Sequence, residues 1–208
     1  NSDLKSLSKL IDFTIKFLNK KTKLIILSQS KPGFVRSIKY DHNNLYYQVE
    51  TLVFGNAINR AIKPERFIIG VKDKQKKIDS DYLKYLNSFR CPIFKMNYES
   101  AEMTKISINL LLASTITTSN ILSELCEINR ANWRDIIPAI KLDKRIGKFS
   151  YINPGLGISG GNIERDIVTT IKLSKKKTPS NILLKSLIQN SKYMKDWVYR
   201  LIKKNRLV

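Results

Sequence analysis

Apolar positions along the first hundred residues alternate between helical and strand-like spacing. Leu4, Leu7, Leu10, Ile11, Phe13, Ile15, Phe17 and Leu18 recur at a mostly helical period, which predicts a helix over Asp3 to Asn19. Lys23–Leu27 is a short apolar burst ended by Ser-Gln-Ser-Lys-Pro-Gly, a strand followed by a turn. Further strands are predicted around Tyr46–Val49, at Phe67–Val71 and at Pro92–Met96, with a helix over Asp79–Phe89 between the last two. Strands that alternate with helices are the pattern of a parallel α/β sheet.

From Glu99 the pattern is helical throughout. Ser100 to Asn129 runs without Gly or Pro, and Asn132–Leu142 is a shorter helix in which Pro138 demands a kink or a break. A glycine-rich loop, Asn153–Gly161, leads into a helix over Ile163–Leu173, and Ser180 to Lys204 reads as one final helix. The fold class is therefore α/β: the back of a Rossmann-like parallel sheet in 1–97, then an all-helical domain in 98–208 that opens with a long connecting helix.

Composition changes this picture little: 42% hydrophobic and 26% charged residues exclude a disordered chain. The net charge of +21 invites a nucleic-acid partner. However, the cations are spread along the chain, and aromatic residues are not interleaved with them as a stacking platform requires. A solvated basic surface and no nucleic-acid partner are expected. No uninterrupted apolar run reaches the length of a membrane span, so no membrane partner is expected either. Cys91 and Cys126 lie far apart with no metal or redox spacing, as in a reduced, cytoplasmic protein.

The chemistry-bearing residues fall into three segments. The first is Glu50-Thr51-Leu52-Val53-Phe54-Gly55-Asn56-Ala57, followed by Pro64-Glu65-Arg66-Phe67-Ile68-Ile69-Gly70. The second is Ser100-Ala101-Glu102-Met103-Thr104-Lys105-Ile106-Ser107-Ile108-Asn109. The third is Asp143-Lys144-Arg145-Ile146-Gly147, then Pro154-Gly155-Leu156-Gly157, then Arg165-Asp166. Lys105 and Asn109 stand one helical turn apart and share a face. An ammonium beside a carboxamide can stabilise negative charge developing on a substrate oxygen; an exposed lysine beside a helical asparagine is the plainer alternative. Asp166, placed at a helix start, reads either as an acid favoured by the helix dipole or as a general base.

In this order the three segments resemble the UDP-glucose/GDP-mannose dehydrogenase family over about two thirds of the chain. The resemblance implies an NAD-linked oxidation of a UDP- or GDP-sugar by a homodimer. Lys105, Asn109 and Asp166 would hold the substrate oxygen and a catalytic water. Glu50 and Arg145 would contact the substrate, and the backbone of Gly155, Leu156 and Gly157 would close over the sugar. Ser28 and Gln29 match a turn on the cofactor side, with Gln29 where the family has Thr. Phe54 replaces the second Glu of a family pair. The loop cysteine that forms the family's thioester aligns with Asn162 or with Gly160, neither of them a nucleophile, and Ser159 lacks an activating base.

No Gly-x-Gly-x-x-Gly opens a helix after a strand, so little of an NAD site is expected here. By the same resemblance, the chain starts in the last third of an NAD domain and stops where a C-terminal domain would begin. By itself it is expected to lack turnover. The alternative reading is a helical dimerisation or binding module of the same descent that has lost catalysis.

Overall fold

The computed structural model describes residues 4–53 and 55–204, so the expectation at Phe54 and the terminal Asn205–Val208 lie outside the described residues. The elements are α1 (Leu4–Ile15), β1 (Leu24–Ile26), a 3-10 turn (Val35–Ser37), β2 (Leu45–Gln48), α2 (Ala57–Ile62), β3 (Phe67–Val71), α3 (Ser80–Asn87) and β4 (Ile93–Asn97). An all-helical stretch follows: α4 (Tyr98–Ile128), α5 (Trp133–Leu142), α6 (Gly161–Leu173), α7 (Pro179–Lys195) and α8 (Trp197–Lys204). The chain forms two compact units that meet within α4, between Ser107 and Ile108.

In the first unit the four strands lie in the order β1-β2-β3-β4. Phe67–Val71 reads Phe-Ile-Ile-Gly-Val and is buried at every position, as a central strand covered on both faces must be. Its side chains divide by parity. Ile68 joins Tyr47, Leu45 and Ile26 under α1 and the start of α4, while Phe67, Ile69 and Val71 pack with Tyr46, Tyr82 and Leu86 under α3. Gly70 allows a close approach: a Cβ there would stand 3.0 Å from the Ala101 Cβ and 3.1 Å from the Tyr47 Cβ. α3 starts where the Asp79 carboxylate accepts the N–H groups of Asp81 and Tyr82.

One expectation about the sheet needs correction. β1 pairs with β2 and β3 with β4 in parallel, but β2 and β3 are antiparallel, so the sheet is mixed. The link between β2 and β3 carries only α2, which buries no residue and so is no crossover helix packed on the sheet. The chain turns back instead and β3 runs against its neighbour. Neither α2 nor the 3-10 turn was predicted from periodicity.

In the second unit, Ala113 of α4, Ile158, Ile167 of α6, and Leu184 and Leu187 of α7 form the core. α5 continues through Pro138 without a break, so of the expected kink or break the break does not occur. The single final helix expected over Ser180–Lys204 is two helices separated at Asp196. There the Arg200 guanidinium lies 3.5 Å over the Tyr193 ring and donates to the Tyr193 carbonyl, satisfying one of the acceptors a helix end exposes. α4 is long and apolar enough by length and composition to cross a membrane, although Ser, Thr and Asn interrupt every apolar run. Its buried face within this unit holds Asn109, Thr117, Ser119 and Asn120, the marks of a helix packed against protein.

Candidate functional site

The second unit brings two of the sequence-predicted residues together. Asn109 projects from α4 and Asp166 from α6, and the Asn109 Nδ2 donates to the Asp166 Oδ2 at 2.5 Å. Both are buried, Asp166 being 3% exposed. The Nε of Arg165 lies 3.6 Å from the other oxygen, Oδ1. Asp166 stands in the second turn of α6, and Glu164 is the acid of the first turn, so the helix-dipole reading of Asp166 is corrected. Ile167, next in sequence, anchors this turn in the core against Ala113 of α4. A carboxylate held by one amide and faced by a guanidinium is a fixed acceptor, suited to orienting a water or a hydroxyl.

Ahead of α6 runs the glycine loop. The N–H of Gly155 donates to the Asn120 Oδ1 at 2.8 Å, and the N–H of Ile158 donates to the Ser191 Oγ at 3.0 Å. Gly157, at φ +80°, lies so close to α7 that a Cβ would stand 2.7 Å from the Ser191 carbonyl oxygen. A cavity of about 440 Å³ opens beside this loop, lined by Asn120, Arg134, Leu156, Met194, Trp197 and Arg200 among others.

The other predicted positions are dispersed. Asn162 and Gly160, the candidates for the cysteine position, are both exposed; Gly160 is the residue before the first turn of α6. Lys105 is half-buried on α4, one turn before Asn109. Arg145 is 88% exposed and forms a two-pronged ion pair with Asp143, which holds the Asp143 carboxyl below the usual carboxylate range. In the first unit, Glu50 accepts the Leu52 N–H, and Ser28 and Gln29 lie in the turn after β1.

Sequence reasoning missed Glu102 as a structural anchor. Fully buried, it accepts the Ser30 hydroxyl at 2.9 Å, the Gly33 N–H at 2.6 Å and the Val35 N–H at 3.0 Å. Burial nevertheless pushes its carboxyl above the usual range, against the pull of these three donors. This arrangement also tests the fit of a dinucleotide. The turn after β1 leads into a three-residue 3-10 segment rather than an α-helix, and the N–H groups of Gly33 and Val35 are already donated to a carboxylate. The described residues after β1 therefore do not form a pyrophosphate cradle. Asn120 and Ser191 were missed as well, since their partners are loop amides 35 and 33 residues away in the sequence.

Residues 99–192 match the UDP-glucose/GDP-mannose dehydrogenase family, central domain. The UDP-glucose 6-dehydrogenase of Campylobacter jejuni subsp. jejuni is 31% identical over 191 residues, covering 90% of this chain and 48% of the relative. That of Rickettsia prowazekii is 28% identical over 204 residues, covering 92% and 45%. The solved UDP-D-ManNAc dehydrogenase from Pyrococcus horikoshii shares the fold with a TM-score of 0.80 at 19% identity, covering 98% of this chain and 50% of that one. The UDP-glucose dehydrogenase from Pyrobaculum islandicum aligns at TM-score 0.74 and 23% identity, covering 87% and 43%. The chain thus spans about half the length of the curated relatives it matches.

Proposed function

We propose, from the premise that this chain belongs to the UDP-glucose/GDP-mannose dehydrogenase family, that it supplies the sugar-side part of an NAD-dependent nucleotide-sugar dehydrogenase. The complete protein would oxidise the alcohol of a UDP- or GDP-linked sugar. The observation that carries this reading is the buried Asn109–Asp166 pair, which joins α4 to α6.

In this reading the Asp166 carboxylate, oriented by the Asn109 amide, holds a water that takes the proton of the sugar hydroxyl as it passes its own proton to the carboxylate. The Lys105 ammonium, one turn earlier on α4, stabilises negative charge on the substrate oxygen. Gly155, Leu156 and Gly157 close over the sugar, and Arg145 contacts the substrate. NAD, when bound to the complete protein, would supply the hydride acceptor. Because the turn after β1 does not fit a pyrophosphate, no step through the cofactor is assigned to Ser28 or Gln29.

The family's thioester step needs a cysteine on the loop before Asp166, and Asn162 or Gly160 occupies that position. A single oxidation is therefore proposed, yielding a carbonyl sugar and one NADH per substrate; two NADH per substrate would overturn it. Free thiols at Cys91 and Cys126 support a reducing, cytoplasmic setting. Exposed apolar residues on α4, among them Leu111 and Leu125, support a homodimer.

The test of binding is a titration of the isotopically labelled chain with UDP-glucose and GDP-mannose, followed by NMR. Saturable shifts at Asn109, Asp166 and the loop amides are expected, reduced at least tenfold in affinity by Asp166→Ala. Shifts elsewhere, or none, would sink the reading. The second reading, a module without catalysis, is favoured by Asn162 in the loop, and turnover by the complete protein would exclude it.

A further inference from the structure

The glycine loop is fastened at two points that the proposed chemistry does not use. Asn120 of α4 and Ser191 of α7 are each 1% exposed. The Asn120 Oδ1 accepts the Gly155 N–H, and the Ser191 Oγ accepts the Ile158 N–H and lies 3.5 Å from the Ile158 carbonyl oxygen. Between these clasps sits Gly157, with no room for a Cβ against the Ser191 backbone. The loop is thus bound to two different helices within four residues.

Stability alone does not account for these side chains. Asparagine is a poor helix-interior residue, and a buried polar group costs free energy unless it is paired. Asn120 is only half paired: its Nδ2 is buried without a partner. Its amide is therefore oriented by the loop N–H rather than by a full set of bonds. Asn120 and Asn109 are also eleven residues apart on α4, about three turns, so they share one face. One amide holds the start of the loop and the other holds the carboxylate beyond its end.

We infer that Asn120 and Ser191 are positioning residues that hold the backbone of Gly155 to Ile158 in the shape that receives the sugar of a nucleotide sugar. The inference rests on the proposed function for the ligand but not for the clasps themselves. Neither residue touches the reacting atoms. Their effect is on the loop, and so on the sugar rather than on the nucleoside diphosphate.

The test uses the full 208-residue chain, labelled with nitrogen-15, as wild type, Asn120→Ala, Ser191→Ala and Ser191→Thr. Amide hydrogen exchange is read at Gly155 and Ile158, and affinity is measured for UDP-glucose and for UDP. Each alanine variant should speed exchange at the amide it releases by about tenfold and weaken UDP-glucose by a similar factor, the worth of one hydrogen bond. Affinity for UDP should stay within about twofold, and Ser191→Thr, which keeps the hydroxyl, should restore both readouts. Unchanged exchange would overturn the clasps. Equal weakening of UDP and UDP-glucose would mark general damage and overturn the positioning role. If wild type binds no UDP-glucose, the proposed function and the sugar-directed role fall together, and exchange at the two amides alone decides whether the loop is clasped.

Discussion

At the scale of single residues, side-chain amides in the second unit hold a carboxylate and a loop N–H, and the first unit's turn depends on one carboxylate. Glu102 uses Oε1 for Ser30 and Val35 and Oε2 for Gly33. In Glu102→Gln an NH2 replaces one of those oxygens and faces a donor. The loss should be about 1–3 kcal/mol of unfolding free energy, read by urea titration at pH 7; a change under about 0.5 kcal/mol would deny the anchor. The pH dependence has a definite sign. Burial raises the folded carboxyl above its unfolded value, so the folded state holds that proton more tightly. Stability from this group is fully present below the unfolded value and is lost as pH rises through the raised folded value. The Gln variant should lack that slope. Asn109 and Asp166 were legible in the sequence because family motifs contain them. Asn120, Ser191 and the partners of Glu102 were not, because each contact joins groups 33 to 72 residues apart and single-chain spacing carries no information about such contacts.

At the scale of elements, periodicity located most of what is regular. β3 was legible as an apolar run bounded by Pro64 and a charged turn, and α4 as a helical stretch free of Gly and Pro. Strand direction was not legible, since alternation is the same whichever way a strand runs, and the antiparallel β2–β3 pair depends on how the link between them folds. The break at Asp196 was hidden too, because no Gly or Pro marks it. Pro138 is exposed in mid-helix and removes a hydrogen bond that α5 would otherwise make. Pro138→Ala should therefore raise stability, by about 1–3 kcal/mol in chemical denaturation; a loss would show that the ring packs usefully. The glycine loop makes a paired prediction. Gly157→Ala places a Cβ against the Ser191 carbonyl at a left-handed φ and should lower the thermal midpoint by several degrees, whereas Gly155, with open space around its Cβ position, should accept Ala with little change.

At the scale of the whole molecule, two terms compete: an apolar stripe and a large like charge. Leu111, Thr118, Leu122 and Leu125 are exposed on α4 at spacings of seven, four and three residues, which is the period of a helix–helix seam. They lie roughly opposite the buried face that carries Asn109, Ala113 and Asn120, so the helix is already committed to its own core on one side and is unpartnered on the other. Pairing two copies through this stripe would bury the leucines but bring together two chains of +21 each. That repulsion acts over about 10 Å at 0.1 M salt and shrinks to about 3 Å at 1 M, whereas apolar burial does not weaken with salt. Association through α4 should therefore strengthen as salt rises. Light scattering coupled to size exclusion should give twice 24.0 kDa at lower protein concentration in 0.5 M than in 0.05 M sodium chloride, and Leu111→Lys with Leu122→Lys should hold the chain at 24.0 kDa in both. The opposite salt trend would mean that ion pairs, not the stripe, make the contact, and would return attention to the basic surface as the region that selects a partner.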